Sequence, residues 1–200
     1  MCRYGRIRMI CAEIDFQKVG KAYHIFEAFV AHCKIAEISP LILVRKSAKT
    51  ECLGRTRVEM GWSGFPCEFV AIRSPRSRMK YELKIFAEEF GDGKPCFRFC
   101  SRGNPHTNQE TGDGLPARVV PTPHFHSVDK RGILQAYQTP LLEDPEEAAK
   151  IASNPQLGTN HFCQVANLFS PSGGSIVLKI IAGELDLSRT DPLDGANLPP

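Results

Sequence analysis

An α+β fold, an antiparallel meander packed by an N-terminal helix and one or two C-terminal helices, is what this sequence predicts. Three observations carry that expectation. The segment "KVGKAYHIFEAFVAHCKIAEI" repeats its apolar residues at three- and four-residue steps, the period of a helix with one buried face. In "MKYELKIF", Met79, Tyr81, Leu83 and Ile85 alternate with Lys80, Glu82 and Lys84, the period of a half-buried strand. A "GDGK" turn then leads into "PCFRFCS", as an antiparallel hairpin requires.

In chain order, Val19, Ala22, Tyr23, Phe26, Phe29, Val30 and Cys33 predict a helix over 18–38, stopped before Pro40. "LILVRK" reads as a strand, and "FPCEFVAIR" leads toward the next hairpin. In "CFRFC", Arg98 shares a strand face with the two cysteines while Phe97 and Phe99 face the core. Residues 101–122 form a long loop rich in Gly, Pro, Asn and Thr, of a length that marks mobile or functional segments. "ILQAY" is a return strand beyond the turn at Asp129–Gly132. "EDPEEAAKIASNP" is a helix, with Asp144 as cap, Pro145 in the first turn and Glu147 at the capping-box position. "NHFCQVANLF" predicts a second helix and "GGSIVLKIIAG" a last strand. One domain over 1–187 is expected, with 188–200 too poor in apolar residues to pack.

Composition narrows the class. The chain has 42% hydrophobic and 24% charged residues over 200 positions, which is ordinary for a globular protein. Residues 1–102 carry 19 Lys/Arg against 11 Asp/Glu, and residues 103–200 carry 6 against 11. A basic half offers phosphates a landing surface or is simply a solvated face. No apolar run approaches the roughly 20 residues that span a bilayer, and Glu13 and Asp15 interrupt any secretory core. A cytoplasmic protein without a membrane partner is expected. Its eight cysteines show no CxxC pairing, so free, buried thiols are the default in that compartment.

The residues that ask for chemistry are in "VPTPHFHSVDKRG". On a strand His124 and His126 point the same way while Phe125 anchors them from the core. Pro121 and Pro123, lacking N–H groups, point to an edge position. Two imidazoles so placed bind a transition metal, act as acid and base, or form a polar edge. A metal, zinc or another first-row divalent ion, needs a third ligand, and His106 in the preceding loop is the candidate. Acid–base work on a phosphate needs no metal, only cations to hold the charge, and Arg98, Lys130 and Arg131 are the nearest. His161 and Cys163 lie in a helix, where i and i+2 diverge. His24 and His32 read as boundary histidines. Hydrolase elbows and phosphate-binding glycine loops are absent.

The order "KYELKIF", "FRFC", "GNPHTN" and, after a gap, "PHFH" resembles a group of small, largely uncharacterised bacterial and phage proteins. It is similar, more distantly, to the TumE-like toxins of toxin–antitoxin pairs. The resemblance covers roughly residues 79–152 and implies His106, Asn108, His124 and His126 as the site. The chain is longer at both ends, and it lacks a Tyr-Asp-Asn stretch after the second strand. The expectation that follows is an RNA-acting hydrolytic domain with a histidine pair as acid and base, and an antitoxin-like protein partner. The rival expectation is a non-catalytic interaction protein of a phage or mobile element.

Overall fold

The alternation read in "MKYELKIF" recurs on its neighbours and builds one large, curled sheet. The computed structural model describes residues 23–45, 51–60, 63–74, 80–87, 90, 93–108, 118–129 and 133–180. Helix α1 (Tyr23–Ala31) leads into β1 (Lys34–Ala36) and β2 (Leu41–Arg45). Three long strands follow, β3 (Cys52–Met60), β4 (Ser63–Arg73) and β5 (Tyr81–Ala87), then the shorter β6 (Phe97–Cys100). A two-stranded ribbon, β7 (His106–Thr107) with β8 (Val119–Val120), precedes β9 (His124–Val128) and β10 (Leu134–Tyr137). Helices α2 (Pro140–Glu143), α3 (Pro145–Ser153) and α4 (Pro155–Ala166) come next, and β11 (Leu168–Phe169) and β12 (Leu178–Ile180) end the described chain. The fold is α+β, as expected.

Strand order in the main sheet is β10-β9-β6-β5-β4-β3-β1-β11, with β2 on the other half of the same edge of β3 and β12 beside β2. Pairing is antiparallel from β10 to β1, while β11 on β1 and β12 on β2 are parallel. One face of β5, Tyr81, Leu83, Ile85 and Ala87, is buried. Phe97, Phe99 and Phe125 continue that apolar face across the sheet, and α4 fills its curl. The Phe162 ring of α4 lies 5.5 Å from Phe97, 5.6 Å from Phe69 and 6.1 Å from Phe125. Aromatic pairs at these distances add to the burial that drives the packing.

The helix expected over 18–38 is shorter. It ends at Ala31, and Lys34–Ala36 is a strand instead. The apolar residues continue past Ala31, but Ile35 is exposed while Lys34 and Ala36 are buried. Strand pairing with β3 and β11 therefore decided the segment. Residues 18–22 lie outside the described residues, as do Lys130, Arg131 and the tail 188–200. The capped helix forms as read at Asp144, which accepts from the N–H groups of Glu146 and Glu147. The Glu147 side chain, expected to reach back to the cap, turns to Lys150 instead, at 2.6 Å. The following helix starts at Pro155, five residues before the expected Asn160, because Asn154 caps it by accepting from Gln156 and Leu157.

Lys34 explains how the chain can leave α1 so abruptly. Its ammonium, 1% exposed, donates to the carbonyls of Val30 at 2.9 Å, His32 at 2.8 Å and Ala166 at 2.9 Å. Two of those carbonyls are orphans at the C-terminal ends of α1 and α4, where a cation is favoured. Burial lowers its pKa to about 8. Three carbonyl acceptors work the other way, since only the charged form has three N–H groups to give.

Gly158 marks the closest approach of α4 to the sheet. A Cβ there falls 1.8 Å from the Tyr81 hydroxyl, which itself donates to the Ile151 carbonyl at 2.5 Å. Gly158→Ala is therefore expected to destabilise the fold by about 3 kcal/mol, despite the helix propensity of alanine. Urea unfolding checks this; an unchanged midpoint would show that the helix can slide.

Candidate metal centre

The face of the sheet opposite the phenylalanines carries the site. On β6 and β9 the register sets Arg98 against His126, Phe99 against Phe125, and Cys100 against His124. Alternation then puts Arg98, Cys100, His124 and His126 together on one face and all the intervening aromatics in the core. The pair is not on an edge, as had been expected: β9 lies between β6 and β10, and β10 takes the edge. The prolines stop at 123, and from His124 onward every residue has an N–H for a ladder bond. Nor is the pair exposed, since His124 and His126 are 2% and 1% exposed.

The ribbon β7–β8 brings His106 to the same face. Asn108, just after it, donates to the Ala136 carbonyl at 2.8 Å and accepts from the Ala136 N–H at 2.7 Å. Its amide thus ties the ribbon to β10 as a strand neighbour would. His106 stands edge-on to His126, with ring centroids 4.9 Å apart, and 6.3 Å from His124. The structure therefore gathers His106, His124, His126 and Arg98, and gives Asn108 a holding position beside them.

Cys100 is the member that sequence reasoning left without a role. Its sulfur and one nitrogen each of His124 and His126 all lie within 4.8 Å of one another. This buried Cys100–His124–His126 cluster could hold a metal ion. The signal was present in the register: once "FRFC" pairs antiparallel with "HFHSV", Arg98 opposite His126 forces Cys100 opposite His124. Burial holds the Cys100 thiol above its usual pKa, so an unligated thiol stays protonated and unreactive.

Hydrogen-bond bookkeeping inside the cluster does not close by itself. His124 Nδ1 lies 3.0 Å from the Pro121 carbonyl, which can only accept, so that nitrogen carries the proton. Arg98 Nη2, which can only donate, lies 2.9 Å from His126 Nε2, so that nitrogen carries a lone pair. The His126 proton then sits on Nδ1, buried without a partner. Neutral His124 likewise has its lone pair on Nε2. Yet the two Nε2 atoms stand 2.8 Å apart, lone pair against lone pair.

A positive charge between them would resolve the contact. A proton is one solution, but every histidine here resists it. Burial and the Arg98 charge, with smaller contributions from His124 and His106, pull the His126 pKa down to about 3. Burial, opposed by the Pro121 carbonyl, lowers that of His124. Burial and then Arg98 lower that of His106. A metal ion is the other solution. An imidazole whose Nδ1–H is held by a backbone carbonyl presents Nε2 as a ligand.

A cleft of about 460 Å³ beside the strand ends, lined by Ser101, Arg102, Pro121, Pro123, Gln138 and Leu142 among others, offers no imidazole or thiol. His161, on α4, is on the far side of the sheet, edge-on to Phe125 at 5.5 Å. It bonds Thr139 at 2.8 Å and takes no part. Among the described residues no helix is long and apolar enough to cross a membrane. Comparison with protein-family models, curated proteins and solved structures finds no match to this chain.

Proposed function

We propose that the protein is a metal-binding domain whose centre is a first-row divalent ion, zinc in the first instance, held by Cys100, His124 and His126. The observation that carries this reading is the opposed pair of Nε2 lone pairs 2.8 Å apart, with the His124 ring held from its other side by the Pro121 carbonyl. Tetrahedral zinc with Zn–N bonds of about 2.0–2.1 Å needs its nitrogens roughly 3.3 Å apart. The rings would part by only about 0.5 Å to admit it. A thiolate with two imidazoles suits zinc and its late first-row neighbours rather than magnesium or calcium.

Three protein ligands leave a fourth position for water, which a divalent ion makes a nucleophile near neutral pH. His106, partly exposed and edge-on to His126, is placed to move a proton for that water. The reading is therefore hydrolytic, and it keeps His106, His124 and His126 in the site that the TumE-like resemblance implies, with the pair as metal ligands in place of the acid–base role expected for it. Burial of the pair favours a small reacting group reaching into the site over an extended RNA strand lying on it.

The test is elemental analysis of protein purified without a histidine tag, followed by zinc titration of the chelated protein. About one equivalent of zinc, and a melting temperature that rises on zinc addition, is the expected result. Less than about a tenth of an equivalent after titration, with unchanged melting, would remove the centre.

A further inference from the structure

The charges around the cluster say what its open position takes. A divalent ion, one Cys100 thiolate and two neutral imidazoles sum to one positive charge, and Arg98 brings a second. Two uncompensated positive charges at a site this buried are strongly unfavourable. The described residues do not supply the balance. Among the described residues no carboxylate pairs with Arg98. Glu82, the residue opposite Cys100 across β5 and β6, is engaged by Lys84 at 2.7 Å. Lys84 itself stands opposite Arg98, so this flank sums to no charge and offsets neither of the two.

Arg98 also occupies a telling position. Its Nη2 holds the His126 lone pair at 2.9 Å, the same lone pair an ion would take. Binding of the ion must therefore turn the guanidinium aside. Its Nε is buried with no partner. Nε–H and Nη2–H lie on one edge of the guanidinium plane, and together form a two-pronged donor that matches two oxygens of an oxyanion.

Resting on the metal reading above, we propose that the centre binds an oxyanion, a phosphoryl or carboxyl group, with one oxygen on the ion and the Nε/Nη2 edge of Arg98 on the others. Arg98 is thus a substrate-binding residue, and the substrate class is a small molecule or chain end bearing such a group. Loss of a two-pronged, charge-assisted contact costs roughly tenfold to a hundredfold in affinity.

Calorimetric titration of the zinc-loaded full chain with inorganic phosphate, and separately with acetate, tests this. Binding of phosphate assigns a phosphoryl group, binding of acetate alone a carboxyl group, and either is expected to weaken about tenfold or more in Arg98→Met. Arg98→Lys, which keeps the charge without the fork, is expected between the two. Cobalt substitution is the folding control, because a thiolate-to-cobalt band retained in Arg98→Met shows that the centre itself is intact. If that variant does not take cobalt, Arg98→Lys against native protein carries the comparison. Zinc that binds while both anions bind equally well in all three proteins, or not at all, overturns the oxyanion inference alone. A native chain that takes no zinc removes the centre beneath it.

Discussion

His124→Leu is expected to weaken zinc binding by about a hundredfold or more while leaving the chelated protein at least as stable as the native chain. Loss of partners in a metal's outer shell already costs ten- to a hundredfold, and here a ligand is removed outright. The effect on the chelated fold has the opposite sign to an ordinary core substitution. In the native chain, two buried lone pairs 2.8 Å apart repel each other. Leucine removes one of them and fills nearly the same volume. The Pro121 carbonyl loses its imidazole partner, but Pro121 is exposed and water can replace it. A gain of about 1 kcal/mol corresponds to a rise of roughly 2–4 °C in melting temperature for a chain of this length. Thermal unfolding in excess chelator, with zinc affinity measured on the same preparations, checks both halves. A variant that binds zinc normally, or that melts well below the native protein in chelator, would show His124 to be a structural residue. Stability retained at the cost of binding is the mark of a functional site held under local conflict.

Lys34→Met should cost the fold about 4 kcal/mol, the largest stability loss foreseen for a single residue. Methionine has a similar length and can still pack on the Phe29 ring, over which the ammonium now lies 5.0 Å from the centroid, though without its charge. It cannot donate. Three carbonyls, from Val30, His32 and Ala166, would lose their donor in a buried site, at about 1–3 kcal/mol each before relaxation. The neighbouring amide of Asn167, which donates to the Ala31 carbonyl at 2.6 Å, shows the same need a turn away. Denaturant unfolding gives the answer as a shift in midpoint at constant slope. A loss below about 1 kcal/mol would mean that the carbonyls find water and that Lys34 is replaceable.

How far these features could be read in advance differs from element to element. The helix 145–153 was legible in full, since its cap, its first-turn proline and its stop are all local signals. Strand β5 was legible for the same reason: alternation is a property of neighbours in sequence. Strand β3 carries the same alternation, with Cys52, Thr56, Val58 and Met60 buried and Arg55, Arg57 and Glu59 exposed, although no element was expected over 52–60. The C-terminal half of the helix expected over 18–38 was not readable. Lys34 inside an apolar run looks like a helix surface residue until three distant carbonyls surround it.

The candidate centre divides along the same line. By itself the sequence determined that His124 and His126 share a face and that Phe125 faces the core, because period-two alternation needs no partner strand. It also brought His106 and Asn108 forward as candidates, through a polar loop ending in a strand. What only the tertiary structure decided is the third ligand, the burial and the conflict. Cys100 meets His124 because β6 and β9, 24 residues apart at that pair, align in one register and not in the neighbouring one. A slip of a single residue would have set a phenylalanine there and turned the cysteine to the core. Register between distant strands is chosen by the whole buried face, Phe97, Phe99 and Phe125 against α4. The chemistry on the opposite face follows from how those rings pack.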